Sequence, residues 1–256
     1  MMRDRVMTEG ASVDRRRPRR GTVVGGFLGG SLAWALLMAS ERTLRFADDA
    51  IAAAGENPSV ETSIRLSRLV TLQGLGNAVI ALGVMGQAFA GAAYLASHRG
   101  RGTCPKLVIG TVRACAVGFA LGSLSAVVGT VAFGMQHVGD QDLFVASLIQ
   151  GVVWALLGAA AGLAASRGLL EPPARRSPAA SGALGGLLWG VLYPMVAAQL
   201  SPGSYVEQLI PESASHKAAW SILGGVLIGL ALFRAERAAG KCPDGALADW
   251  PSRGDP

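Results

Sequence analysis

Apolar residues along the chain gather into six long runs separated by short polar segments. Val23 to Ser40, Val70 to Ser97, Leu143 to Ser166, Ala179 to Leu200 and Ala218 to Phe233 hold no charged residue, and Leu107 to Met135 holds one, Arg113, near its start. A helix that crosses a bilayer needs about 20 mostly apolar residues. In a soluble domain each such run would need burial on every side. The pattern therefore predicts an all-α, polytopic membrane protein, a six-transmembrane-helix bundle. Its predicted divisions are a basic tail over 1–21, a transmembrane domain over 22–237 with an external loop at 41–68, and a flexible tail over 238–256.

The loop at 41–68 has its own pattern. Leu44, Ala47, Ile51 and Ala54 share one helical face, with Arg45, Asp48 and Asp49 on the rest. This predicts a short amphipathic helix that ends at Gly55 to Pro58. It either lies on the outer membrane surface or caps the bundle. Helix restarts near Ser59 or Val60 and runs to Ser97, which at 1.5 Å per residue is about 57 Å. Hydrocarbon is only about 30 Å thick, so the second span protrudes outward, tilts or breaks.

The spans also resemble one another. Gly25-Gly26-Phe27-Leu28-Gly29-Gly30 aligns with Gly185-Gly186-Leu187-Leu188-Trp189-Gly190, and Gly118 and Gly122 align with Gly182 and Gly186. Among the even spans, Trp154-Ala155-Leu156-Leu157-Gly158 aligns with Trp220-Ser221-Ile222-Leu223-Gly224. This reads as repeated helical hairpins in parallel orientation, unlike the inverted repeats of many carriers. Pairs of glycines four residues apart recur in five spans: Gly26/Gly30, Gly118/Gly122, Gly158/Gly162, Gly182/Gly186/Gly190 and Gly225/Gly229. Lipid gives helices no hydrophobic reason to associate, whereas small residues let backbones approach. The 35 glycines are thus contact points.

Charge adds orientation. Of the 23 lysines and arginines, 18 fall on the N-terminal tail, the second and fourth loops with their helix ends, and the C-terminal tail. The other side has five: Arg42, Arg45, Arg65, Arg68 and Lys217. By the positive-inside rule both termini are cytoplasmic. The net charge of +6 then records topology. It does not mark a nucleic-acid partner, because no folded basic face gathers it. A basic stretch before an apolar run also describes a signal peptide, but the sustained charge alternation fits a first helix that stays attached.

Candidate chemistry is sparse. His98, His137 and His216 lie at helix ends or in loops, no Asp or Glu enters a span, and Cys104, Cys115 and Cys242 show no metal-ligand spacing. No metalloprotease, nucleophile-elbow or phosphate-loop motif is present. No catalytic residue, cofactor or metal is expected, and the chain reads as no enzyme. The polar residues that enter the spans are amides: Gln73 and Asn77 near the outer end of the second span, Gln87 deeper within it, and Gln150 in the fourth. They line an outward-facing vestibule or make interhelical hydrogen bonds of about 0.6–2 kcal/mol. Pro194 in the fifth span frees a backbone carbonyl one turn earlier and predicts a kink. Of the tryptophans, Trp220 fits an interfacial belt, and Trp34, Trp154 and Trp189 read as packing residues.

Gly182 to Leu200, with Ser201-Pro202, Leu209-Ile210-Pro211 and Ala219-Trp220, resembles glycine-rich bacterial membrane proteins. That resemblance implies a location and no activity. The expectation is a bacterial inner-membrane protein that packs through glycine faces with itself or with partner membrane proteins. The alternative is a small transporter or channel subunit with a polar path near Gln87, Asn77 and Gln150.

Overall fold

A computed structural model describes residues 21–40, 43–55, 59–98, 104–135, 143–166, 178–200 and 209–239. The basic tails, most loop arginines, His137 and Cys242 lie outside these residues. All regular structure among the described residues is helical: α1 (Gly21–Ser40), α2 (Phe46–Ala54), α3 (Val60–His98), α4 (Cys104–Gly134), α5 (Leu143–Ala165), α6 (Pro178–Leu200) and α7 (Ala214–Ala239). All but α2 are long and apolar enough to cross a membrane. The chain is a multi-pass integral membrane protein.

Local chemistry sets the ends. Asp48 and Asp49 stand in the first turn of α2, where the helix dipole favours negative charge. Gly55 follows α2 with φ +72, a left-handed value that glycine adopts without a Cβ clash. Ser59 caps α3, its Oγ accepting the Thr62 N–H at 3.2 Å. Pro178 opens α6 at the position where its missing N–H costs nothing. Ser213 caps α7, its Oγ accepting the His216 N–H at 3.2 Å.

The six long helices close a ring in the order α1, α3, α4, α5, α6, α7, and neighbours run antiparallel. The most extensive interfaces are α3 with α4, α5 with α6, and α7 with α1. In each of them an odd-numbered span presents glycines to the even-numbered span before it. A Cβ on Gly118 would overlap the Gly86 carbonyl, and one on Gly122 the Leu82 carbonyl. On α6, Gly182, Gly186 and Gly190 meet the carbonyls of Gly158, Trp154 and Gln150. On α1, Gly26 and Gly30 meet the carbonyls of Gly225 and Ser221. The last pair, α7 with α1, joins the two ends of the chain, so one contact type is used three times around the ring.

The second and fourth spans, α3 and α5, hold the middle. They touch each other across the ring, and 61% and 56% of their most apolar stretches are buried, against 28% for α4. The outer helices α1, α4 and α6 turn large apolar residues outward, among them Phe27, Leu28, Val108, Ile109, Leu184 and Leu188. These are faces for hydrocarbon.

Two readings of the sequence change here. The interfaces place Trp154 opposite Gly186 and Gly225 opposite Gly26, so the matched positions of α5 and α7 are Trp154 and Gly225. The aligned Trp220 sits more than a turn away from that match. An exact repeat would put two indoles at equivalent positions, whereas the offset lets them stack edge to face. Second, Trp220 is 0% exposed and lies in the core, not in an interfacial belt.

Candidate functional site

Gln73 and Asn77 form a clamp. The Leu44 N–H donates to Asn77 Oδ1 at 2.9 Å, and Asn77 Nδ2 donates back to the Leu44 carbonyl at 3.2 Å. One turn earlier the Ala47 N–H donates to Gln73 Oε1 at 2.7 Å, and Gln73 Nε2 donates to Asp48 Oδ1 at 3.1 Å. The two amides thus satisfy backbone groups at the start of α2 that have no partner inside that helix. Ala47, fully buried, seats α2 on α3. Of the two readings of α2, the structure gives the cap. The amides hold the loop through these four bonds. Asn77→Leu should cost about 1–3 kcal/mol through the unpaired Leu44 backbone. Hydrogen exchange over 44–54 is expected to rise while α5 and α6 stay protected, and unchanged exchange over 44–54 would refute the clamp.

The middle of the bundle is aromatic. Trp154 and Trp220 pack edge to face with ring centroids 5.0 Å apart at 77°. Trp189 meets Trp154 at 6.4 Å, Tyr193 lies 5.8 Å from Trp189, and Phe89 lies 5.8 Å from Trp154. Trp189 Nε1 donates to the Trp220 carbonyl at 2.8 Å. The indole nitrogens of Trp154 and Trp220 are buried with no hydrogen-bond partner among the described residues. The sequence carried a signal for this cluster in the recurrence of Trp154 and Trp220 within matching segments. Periodicity did not show that they touch.

Polar groups cluster toward the end of the bundle that carries α2. Gln150 is fully buried, and its Nε2 donates to the Leu209 carbonyl at 3.1 Å. This bond holds the segment before α7 against α5. Ser221 Oγ donates to the Lys217 carbonyl at 2.6 Å. Lys217 is buried, 5% exposed, in the first turn of α7. The apolar run that starts at Ala218 leaves Lys217 outside the span as a loop charge, whereas α7 begins at Ala214 and takes it into the first turn. His216, also buried, brings Nδ1 to 2.7 Å from Ser213 Oγ.

Ser213 and His216 form a hydroxyl–imidazole pair, the kind that can activate a nucleophile. Here the same oxygen is the cap acceptor of α7. His216 Nε2 has no partner among the described residues, so no carboxylate orients the ring. Among the described residues no three His, Cys, Asp or Glu side chains group as metal ligands.

The two remaining candidates stand apart from these. Gln87 is half-buried on α3; its backbone carbonyl accepts the Cys115 thiol at 3.8 Å. Pro194 is fully buried inside α6, which stays helical through it. The three amides have different partners: Gln87 meets α4 through its backbone carbonyl, Asn77 holds the start of α2, and Gln150 holds the segment before α7.

No protein-family model matches the chain, and no curated protein or solved structure is significantly similar to it.

Proposed function

We propose that the chain is a non-catalytic integral membrane protein of the bacterial inner membrane, with both termini cytoplasmic, that associates with further copies of itself or with partner membrane proteins. The observation that carries this reading is the filled middle of the bundle. Trp154, Trp220, Leu157 and Val153 are all 0% exposed there, where a carrier needs room for a solute. The glycines that the sequence assigned to association meet helices of the same chain. What remains for a partner is the surface of the outer helices and the projecting start of α3.

Purified protein in proteoliposomes is expected to pass small ions, sugars and amino acids no faster than empty liposomes. A saturable flux that Gln87→Ala abolishes would overturn the proposal in favour of transport. Topology reporters fused at residues 50, 140 and 210 are expected to report the external side. Cytoplasmic activity at all three would reverse the orientation.

A further inference from the structure

At the end of the bundle away from α2, two cations stand without partners on one helix. Arg113 of α4 is exposed, and so is Lys106 seven residues earlier. Seven residues are about two turns, so both lie on one side of α4 with Gly110 between them. Among the described residues neither makes a hydrogen bond or an ion pair.

Tyr94 joins them from α3. A Cβ on Gly110 would overlap the Tyr94 hydroxyl, so that oxygen sits against the α4 backbone about one turn from each cation. His98 fixes the ring. It stacks on Tyr94 with centroids 4.2 Å apart at 16°, and its Nδ1 donates to the Tyr94 carbonyl at 3.0 Å. The hydroxyl itself makes no hydrogen bond among the described residues. Two cations and a hydroxyl therefore flank a position where α4 has no side chain, and all three can donate to one acceptor.

Depth identifies the acceptor. A Cβ on Gly91 would meet Cys115 Sγ, and one on Gly25 the Ala92 carbonyl. Arg113 thus stands level with about Ala92 of α3 and Gly25 of α1, some 6 Å inside the start of α1 at Gly21. The 20 residues of α1 span about 30 Å, which is the thickness of the hydrocarbon itself. Arg113 is therefore rooted below the headgroups, where an unpaired charge is costly. Side chains on a helix lean toward its N-terminus, which in α4 points out of the membrane at this end. The guanidinium can then rise past Gly110 to the level of the lipid phosphates. Deeper on the same side, Ala116 and Ala120 are exposed and small, and Leu124 beyond them is 48% exposed. A shallow track leads from the cations down into hydrocarbon. A free phosphate has no use for that track, whereas a phospholipid has a chain to lay in it.

We propose that Lys106, Arg113 and the Tyr94 hydroxyl bind the headgroup phosphate of an anionic phospholipid, with one acyl chain lying over Ala116 and Ala120. The bonds to the phosphate are charge-assisted and correspondingly strong. A zwitterionic lipid fits less well, because its own ammonium group competes with Lys106 for the phosphate.

Native mass spectrometry tests this on the full chain released from nanodiscs of equal phosphatidylglycerol and phosphatidylethanolamine. The protein should retain one phosphatidylglycerol, preferred about tenfold over phosphatidylethanolamine. Lys106→Ala/Arg113→Ala should abolish the preference. Tyr94→Phe keeps the stack on His98 and should weaken retention about threefold. Arg234→Ala/Arg237→Ala removes the same charge from the same end of the bundle, at the end of α7, and should change nothing. Thermal unfolding in neutral detergent supplies a second readout. Added phosphatidylglycerol should raise the midpoint of the unaltered protein by several degrees, while Lys106→Ala/Arg113→Ala should stay folded and show no rise. Equal losses in the two double variants, or a rise that survives Lys106→Ala/Arg113→Ala, would overturn the site. So would retention of both lipids alike by the unaltered protein. Displacement of the retained lipid by millimolar inorganic phosphate would overturn the lipid in favour of a free phosphate.

Discussion

Gly186→Val is expected to destabilise the bundle by about 3 kcal/mol or more, toward the upper end of what overpacking costs. A Cβ at this position would overlap the Trp154 carbonyl. That atom belongs to the backbone of α5, so no side chain can rotate away, and α5 and α6 must separate along their length. Separation also pulls Gly182 from Gly158 and Gly190 from Gln150. The effect should be graded by what each glycine faces. At Gly151 the nearest atoms are side-chain methyls of Leu187 and Val191 at 3.1 Å, which can shift, so alanine there should cost clearly less. At Gly74 alanine meets nothing within 4 Å and should be neutral within about 0.5 kcal/mol. Reversible unfolding of the purified protein in mixed micelles gives all three values. Equal costs at Gly186 and Gly74 would sink the account of backbone-to-backbone packing.

Trp154→Ala should be nearly as damaging. The indole is 0% exposed and meets Phe89, Trp189 and Trp220, so it ties α3, α6 and α7 to α5. In water-soluble cores the loss of a large aromatic costs about 3–5 kcal/mol. Inside a bilayer the low end applies, about 3 kcal/mol, because the reference state is lipid-solvated and dispersion contacts are what the protein adds. Trp154→Phe retains much of the ring contact and should recover more than half of the loss. The same micelle unfolding measures this, and tryptophan emission supplies a second readout: with Trp154 gone, Trp220 should shift toward the red as its surroundings loosen. A variant that keeps both its stability and its emission maximum would show that the cluster does not hold the middle together.

The six spans were legible because the property that defines them is additive along the chain. Some 20 uncharged residues make a span whatever they touch. The short helix before α3, its end at Gly55 and the restart at Val60 were legible for a similar reason: periodicity, a left-handed glycine and a serine cap act within a few residues. The glycine pairs announced close packing, since a position without a side chain has little else to offer inside lipid.

Partners were another matter. Gly26 and Gly225 are remote in sequence, and nothing local says that the first helix closes the ring against the last. Gln73 and Asn77 look like any amides near a membrane surface until the backbone of residues 44–47 is laid against them. Trp220 has the composition of a belt residue, and Lys217 that of a loop charge. Both are buried because α7 enters the bundle with its first turn already packed. Sequence by itself determined that six segments are long and apolar enough to cross a membrane, where most of them lie to within a turn, and which helix faces are small enough for contact. Tertiary structure alone decided which small face meets which, and so which polar and aromatic groups are enclosed. The reason is physical: insertion into lipid depends on each segment's own composition, while close packing depends on shape matched between segments far apart in the chain.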